Sequence, residues 1–234
     1  MRGRTRDSES RQKQPGPPRR KRSRLSKAAR RKQLLEHAVR ICSEVGLARI
    51  THADVAKAEN VAVATVFSYF PNRQALVDAI LDEVRVYFVE LLKNVPRDQP
   101  ARNLLFAMLW NAMQTAEHES QYLRVWIEWG ATMRADTWPQ YLQAQKQAAR
   151  ILQKVLVDGQ EHGDIDPRLD AEVAARILAD GSRWVASMIF SDIHDDAVKM
   201  LVWNWVDSGL QLGLTNDFVK AIAKSSNRKS RRTS

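Results

Sequence analysis

The chain of 234 residues has a single cysteine, Cys42, and no apolar run close to the ~20 residues that a membrane-spanning helix needs. One cysteine excludes an internal disulfide and suits a reducing compartment. Cys42 falls on the apolar stripe of a predicted helix, so we expect a buried small side chain rather than a reactive thiol. No apolar stretch follows the charges of the N-terminus, which excludes a secretory signal peptide. These absences predict a cytoplasmic protein that does not associate with membranes.

Residue patterns of enzymes and metal sites are also missing. The five histidines are scattered, and the chain has no HExxH, no Cys/His cluster, no Gly-rich phosphate loop and no GxSxG sequence. Asp164 and Asp166 lie in a predicted turn, where such side chains bond to the backbone. Glu128, between Trp126 and Trp129, is a single carboxylate, and we expect it to be a hydrogen-bonded structural group. We therefore predict no catalytic residue, no metal and no cofactor.

Positive charge is concentrated at the two ends of the chain. Residues 1–27 contain 11 Lys/Arg and two acids, and residues 224–234 contain five Lys/Arg and no acid. Residues 28–73 carry a net charge of +3, whereas residues 74–223 carry −7. Because the basic charge accompanies one part of the chain, we expect that part to bind nucleic acid while the acidic remainder does not.

Apolar residues recur every three or four positions through the middle of the chain, which predicts successive helices. No run of alternating β-branched residues with hairpin turns is present, so we expect an all-α fold. Ser26 is expected to cap the first of these helices. Gly46 and Gly159 are each expected to end a helix, since glycine is the usual residue just beyond a helix C-terminus. Pro96 and Pro100 mark a break between two of the predicted helices.

Residues 52–72 have the pattern of a helix-turn-helix. A short helix from His52 ends at Asn60, a second runs from about Ala62 to Tyr69, and Asn72 is expected to cap a longer third helix. In this motif the second helix lies in the major groove of DNA. Double-stranded DNA is therefore the predicted partner.

Small, hydroxyl-bearing and basic residues around this motif are candidates for contact with DNA. Small side chains let the backbone approach base edges, hydroxyls bond to bases or phosphates, and basic groups neutralise phosphates. Val63, Val66 and Phe70 are expected to face the domain core, while Phe67 contacts either a thymine methyl or its own domain. The predicted contacts are Thr51 (also the expected cap of the first short helix), Lys57, Ala62, Ala64, Thr65, Phe67, Ser68, Tyr69 and Arg73.

The segment Arg19-Arg-Lys-Arg-Ser-Arg24 lies directly before the first predicted helix. A flexible arginine-rich arm can enter the adjacent minor groove and favour A·T-rich flanks by reading groove width. The sequence leaves open that the segment is a general polyelectrolyte, which only adds affinity.

Two stretches, His52-Ala-Asp-Val-Ala and Val63-Ala-Thr-Val-Phe-Ser-Tyr-Phe-Pro-Asn-Arg, resemble the N-terminal domain of TetR-family regulators. The resemblance extends further, to the quorum-sensing master regulators of the LuxR/HapR/SmcR type. It covers about residues 20–190. Its additional segments are the arm Arg22-Ser-Arg-Leu-Ser26, Asn111-Ala-Met, Val125-Trp-Ile-Glu-Trp129 and Thr137-Trp-Pro139.

The resemblance implies a homodimer that associates through its last two long helices and places its two recognition helices in successive major grooves. It implies that Arg22 and Arg24 reach the minor groove, and that the C-terminal domain contains a pocket for small apolar molecules. The periodicity of the pocket residues on its own favours a filled core, so that alternative stays open. Carried over by position, the pocket wall consists of Phe88, Leu91, Leu92, Leu109, Met113, Trp126, Ile127, Tyr141 and Gln145.

Two positions depart from the pattern of these regulators. Ser68 stands where they usually have an asparagine that reads a base, so the preferred operator is expected to differ. Arg183 stands where the pocket otherwise has a small neutral residue. Pointing inward, it would shrink the cavity or favour an anionic ligand; pointing outward, it would serve the dimer interface.

The expected organisation is a DNA-binding domain over residues 26–73 and an effector-binding and dimerisation domain over residues 74–222. Disordered basic segments are expected at 1–25 and 223–234. The predicted function is sequence-specific transcription regulation of the quorum-sensing type, with the helix after Asn72 linking pocket to DNA. The alternatives are a ligand-released TetR-type repressor of a local efflux or catabolic operon, and a general nucleic-acid protein driven by its tails.

Overall fold

The computed structural model describes residues 26–118, 120–188, 190 and 195–212, and these form helices without any strand. The all-α prediction is confirmed for this part of the chain. The arm with Arg22 and Arg24, and the C-terminal tail, lie outside the described residues. The helices are α1 (Lys27–Val45), α2 (His52–Glu59), α3 (Val63–Phe67), α4 (Arg73–Lys93), α5 (Ala101–His118), α6 (Ser120–Thr132), α7 (Trp138–His162), α8 (Ala171–Met188) and α9 (Asp195–Leu212).

The helices α1 and α2 begin and end where their sequences predict. Ser26 caps α1 by accepting a hydrogen bond from the Ala29 amide at 3.1 Å, and Gly46, with φ of 88°, ends it. The predicted cap Thr51 forms a capping box with Asp54 at the start of α2. Asn60 ends α2 in the left-handed conformation, φ 51°, and so turns the chain toward α3.

The helix α3 is shorter than predicted, since Ala62 and Ser68 flank it instead of belonging to it. Ala62 has an extended backbone and no side chain that could cap the helix. At the other end the amide of Tyr69 donates to the Val66 carbonyl at 3.0 Å, three residues back, so the last turn tightens.

The remaining helices form one bundle on which the α1–α3 unit sits. Asn72 caps α4 by accepting from the Ala75 amide at 2.8 Å, as predicted. In the bundle α7 packs against α8 and α8 against α9, while α4, α5 and α6 complete the core. The helix α1 packs against α6, so both α4 and α6 join the two parts of the molecule. No described helix has the length and apolar character needed to cross a membrane.

The prediction that Gly159 ends a helix was wrong. Helix α7 continues through it to His162, and Gly163, with φ of 84°, ends the helix. Gly159 instead permits close packing, because a Cβ there would lie 2.5 Å from the Ala101 Cβ and 2.7 Å from Ile165 Cγ1. A glycine needed for interhelical contact has the same sequence signal as one that ends a helix.

Candidate nucleic-acid interface and internal cavity

The α2–α3 region brings the predicted DNA contacts of the described chain onto one small unit. Three of the candidates, Thr65, Tyr69 and Arg73, are only half-buried. Lys57 lies in the last turn of α2, where its charge complements the helix dipole. The exposed candidates are Thr51, Lys57, Ala62, Ala64, Phe67 and Ser68.

Two of the three residues expected in the core of this unit are there. Val66 is completely buried and Phe70 nearly so, with the Arg31 guanidinium 5.3 Å from the Phe70 ring centroid. Val63 is not: it remains 40% exposed at the start of α3. Val63 is the first residue of α3, and Val66 is the buried one.

Phe67 contacts its own domain on one side and is open on the other. Its ring stacks on His52 with centroids 3.9 Å apart and an interplanar angle of 7°. The Nε2 of His52 lies 2.7 Å from the Phe70 carbonyl oxygen and donates to it, since a carbonyl oxygen only accepts. His52 is buried whereas Phe67 is 46% exposed. The contact of Phe67 with its own domain is one of the two alternatives that the sequence left open, whereas the stacking on His52 was not predicted.

Three of the predicted contacts already have partners within the protein. The Thr51 hydroxyl lies 2.6 Å from Asp54 Oδ2 in the capping box, and the Ser68 hydroxyl donates to the Thr65 carbonyl at 2.6 Å. The Arg73 guanidinium donates to the Leu47 carbonyl at 2.5 Å. These side chains therefore fix the shape of the unit, whatever else they contact.

Leu47, in the turn after α1, is held from two sides. Its carbonyl accepts from Arg73 of α4, and its amide donates to Glu128 Oε1 of α6 at 2.9 Å. This contact confirms that Glu128 is a hydrogen-bonded structural group. Nearby Cys42 is completely buried, as predicted, and burial together with the Glu128 charge raises the pKa of its thiol to about 12.

An internal cavity lies among α4, α5, α6, α7 and α8. Its free volume is about 40 Å³, which holds a water molecule or two but no drug-sized ligand. The wall is mainly apolar, with Gln145 and Ser182 as its uncharged polar residues. The lining residues are Arg85, Phe88, Val89, Leu92, Leu109, Ala112, Met113, Trp126, Ala144, Gln145, Ala148, Leu152, Ala179 and Ser182.

Most of the predicted pocket residues line this cavity, namely Phe88, Leu92, Leu109, Met113, Trp126 and Gln145. Leu91 and Ile127 instead pack against the outside of the core, half-buried. Tyr141 is buried behind the wall, where it stacks on Trp138 with a centroid distance of 5.1 Å. Periodicity identifies the buried face of a helix but does not separate its cavity-lining residues from neighbours one layer away.

Gln145 is the unusual member of the cavity wall. Its Nε2 donates to the Tyr141 hydroxyl at 2.9 Å, but its buried Oε1 accepts no hydrogen bond. Burial raises the pKa of Tyr141, while the neighbouring Arg183 opposes this rise. Arg183 lies against Tyr141 and Gly130 rather than in the cavity wall. The arginine thus neither lines the cavity nor places its charge there.

A larger cleft of about 1160 Å³ lies between the α4–α5 connection and α7. It is open to solvent, and charges of both signs line it, including Arg97, Arg150, Asp98 and Asp158. Such a surface does not suit an apolar ligand, whereas the wall of the smaller cavity is mainly apolar. Within the described ranges, no group of three or more His, Cys, Asp or Glu side chains is placed to hold a metal ion. Asp164 and Asp166 accept from backbone amides, as predicted.

Known proteins are similar to this chain in sequence and in fold. Residues 34–80 match the family model described as bacterial regulatory proteins, tetR family. The chain is 34% identical over 161 residues to the HTH-type transcriptional regulator LuxR of Vibrio harveyi, covering 68% of this chain and 78% of that one.

Solved structures agree at the level of the fold. A TetR-like transcriptional regulator from Rhodococcus sp. RHA1 superposes with a TM-score of 0.65 at 19% identity, over 80% of this chain and 99% of that one. The transcriptional regulator FadR from Bacillus subtilis, solved in complex with stearoyl-CoA, gives 0.64 at 19% identity, over 79% and 97%. The family is one of DNA-binding regulators and not of enzymes. The chain belongs to the TetR family of bacterial transcriptional regulators.

Proposed function

We propose that the chain acts in the cytoplasm as a homodimeric regulator of the quorum-sensing type, which binds a pseudo-palindromic operator and responds to a small apolar ligand. The observation that carries the DNA-binding part is the outer face of α3. Ala62, Ala64 and Phe67 are exposed there, on a helix anchored by the buried Val66 and Phe70. Small side chains on a fixed helix allow close approach to base edges in the major groove.

The proposed organisation keeps residues 26–73 as the DNA-binding domain and residues 74–222 as the effector-binding and dimerisation domain. Basic segments 1–25 and 223–234 flank them. Arg22 and Arg24 are proposed to enter the minor groove beside the site that α3 reads. Their contribution to affinity falls with salt concentration, whereas the contribution of base contacts does not.

The proposed dimer interface is formed by α8 and α9. Val173 and Trp184 are eleven residues apart on α8, so they share one face, and both are exposed, Trp184 by 55%. Met200 is exposed on α9. Large apolar side chains on neighbouring helices of a water-soluble protein favour a two-fold contact with a second copy.

The proposed ligand is small and mainly apolar, and it has one hydrogen-bond donor. The apolar wall of the cavity supports the first property, and the buried Gln145 Oε1 without a donor supports the second. A donor on the ligand can bond to this oxygen in place of a water molecule, for which the cavity has room. Because the free volume is about 40 Å³, the helices around the cavity must separate to admit such a ligand.

Two helices are proposed to couple the cavity to DNA. The cavity-lining Phe88 and Leu92 lie on α4, whose first residue Arg73 holds the Leu47 carbonyl. Trp126 lies on α6, two residues before Glu128, which holds the Leu47 amide. A ligand that moves α4 and α6 apart therefore changes the grip on the turn between α1 and α2. The ligand shifts DNA affinity by its differential affinity for the two states.

The coupling is tested by Leu92→Trp, which places a larger side chain in a cavity too small for it. We expect a changed operator affinity with an unchanged monomer–dimer equilibrium, measured by fluorescence anisotropy and analytical ultracentrifugation. Unchanged operator affinity in a variant that folds would contradict the coupling.

The proposed function is tested by selection from a random duplex library with the full chain at near-physiological salt. We expect an enriched two-fold symmetric motif whose half-sites lie about one helical turn apart. An unenriched bound pool would favour the alternative of a general nucleic-acid protein. A ligand-released repressor of a single local operon, the other alternative, would give a motif that occurs at one or very few sites in its genome.

A further inference from the structure

We propose that α3 reads thymine C5-methyl groups through an apolar pair, Val63 and Phe67, and that His52 is a positioning residue that holds Phe67 for this contact. The inference rests on the proposed function, because it takes α3 as the helix that lies in the major groove. It adds which base feature is read, which side chains read it and which side chain supports them.

The apolar pair is exposed although neither member is needed to hold α3 in place. Val63 and Phe67 are four residues apart on a helix, so they lie on the same face. They are 40% and 46% exposed, respectively. The core contacts of the same segment come from Val66 and Phe70, at most 1% exposed. The flanking Ala62 and Ala64 are short, so the pair projects beyond them.

His52 fixes one face of the Phe67 ring and leaves the other open. The two rings are nearly parallel, at 7°, with centroids 3.9 Å apart. The imidazole is itself fixed, because its Nε2 donates to the Phe70 carbonyl at 2.7 Å and the Thr51–Asp54 capping box holds the start of its helix. A ring held in this way loses little conformational freedom when it contacts DNA, which favours binding.

The Ser68 hydroxyl, next to Phe67, is not free to donate to a base. The Ser68 hydroxyl donates its hydrogen to the Thr65 carbonyl, 2.6 Å away. Thymine is the base that presents an apolar group, its C5-methyl, in the major groove, and valine and phenylalanine suit that group. An apolar pair on the outer face of α3 therefore favours A·T pairs at the positions it covers.

The test uses the operator obtained by selection, with single thymines replaced by deoxyuridine. Deoxyuridine keeps the hydrogen-bonding groups of thymine and lacks only the methyl. We expect one or two thymines of each half-site to be sensitive, with affinity falling about fourfold for each methyl removed, the value for burial of one such group. Phe67→Ala and Val63→Ala are each expected to abolish the sensitivity at one of these positions.

The role of His52 is tested with two variants. His52→Asn keeps a donor for the Phe70 carbonyl but removes the ring, and we expect it to reduce the methyl sensitivity at the Phe67 position. In the double variant with Phe67→Ala, the effects are expected to be non-additive. His52→Phe keeps the stacked ring and is expected to retain the sensitivity. Val157→Ala, which removes a comparably exposed valine on α7, is the control and should leave it unchanged.

The possible failures are distinct. A wild-type protein that selects no motif would contradict the proposed function and with it this inference. A selected motif whose affinity is the same with deoxyuridine at every thymine would overturn the inference alone, and this measurement needs no variant. Full methyl sensitivity in a folded His52→Asn variant would contradict the positioning role of His52. It would not contradict the reading of methyl groups by the apolar pair.

Discussion

In the region of α2 and α3, the exposed Ser68 hydroxyl and the buried His52 imidazole beneath Phe67 each donate to a backbone carbonyl. In the cavity, by contrast, the carbonyl oxygen of Gln145 accepts no hydrogen bond. The first region is exposed and already in a fixed shape. The second lies among five helices, with about 40 Å³ of free volume, and one of its polar groups has no partner within the protein.

This difference indicates that the free-energy cost of binding differs between DNA and the proposed ligand. A surface whose side chains are fixed beforehand loses little conformational entropy on binding, so DNA meets a prepared site. A cavity of about 40 Å³ must first widen, and the free energy of ligand binding has to offset the cost of that change. We therefore expect the state without ligand to be the one competent for DNA, with the ligand adjusting its affinity.

The largest effect is expected from a substitution of Trp129, which lies nearly completely buried beside the cavity residue Trp126. Its ring contacts Trp126 and Tyr141, and its Nε1 donates to the Thr137 carbonyl at 2.9 Å. We expect Trp129→Ala to lower the free energy of unfolding by about 3–5 kcal/mol, measured by urea denaturation. The control is Trp184→Ala, which removes an exposed ring and should weaken dimerisation instead of folding. Equal losses of folding stability in both variants would contradict the assignment of core and interface.

The hydrogen bond between Glu128 of α6 and the Leu47 amide, which links the two regions, is tested by Glu128→Ala. Loss of a charged hydrogen bond to the Leu47 amide is expected to cost about 1.5–3 kcal/mol of stability. Amide hydrogen exchange should rise in the turn between α1 and α2 before it rises in α7. Glu44→Ala, which removes only an exposed pair with Arg40 on α1, is the matched control and should cost little. Unchanged exchange in the turn would mean that α6 does not hold it.

Substitution of Gln145 in the cavity wall is expected to raise the free energy of unfolding, whereas the two substitutions above lower it. Gln145→Leu removes a buried carbonyl without a donor but also the amide that donates to the Tyr141 hydroxyl, so we expect a gain in stability of at most about 1 kcal/mol. Any response of DNA binding to a donor-bearing ligand should weaken in the same variant. Gln140→Leu removes a side chain whose amide already has a partner, Asp78, at 2.8 Å, and should not stabilise. A clear loss of stability in Gln145→Leu would show that its carbonyl is satisfied in solution.

The smallest effect is expected at Cys42. Its thiol is buried and its pKa is raised to about 12, so the native protein contains almost no thiolate at neutral pH. We expect no alkylation by iodoacetamide under native conditions during a period that gives complete labelling in urea. Rapid native labelling would show that the contact region of α1 and α6 opens readily.

Much of the fold could be predicted from the sequence because local signals determine it. Ser26, Thr51 and Asn72 cap their helices as expected, and the buried face of α1 follows its apolar spacing. Gly159 was misread because its role depends on Ala101 and Ile165, which are distant in sequence. Tertiary contacts of this kind leave no local pattern.

The candidate sites divide in the same way. The position of the helix-turn-helix is local and was predictable, whereas the stacking of His52 on Phe67 joins two helices and was not. The sequence predicted Val63 in the core from its apolar side chain, but it is the first residue of α3 and is 40% exposed. For the cavity, periodicity identified buried residues, but Leu91, Ile127 and Tyr141 belong to neighbouring layers.

We expect the fixed surface of α3, and not the charge of the basic segments, to give the protein its sequence preference. The most direct test is the ratio of affinities for the selected operator and for a random duplex, in the full chain and in a chain that begins at Ser26. Removing residues 1–25 is expected to lower both affinities and their salt dependence while the ratio remains well above one. A ratio that falls to one in the shortened chain would contradict it.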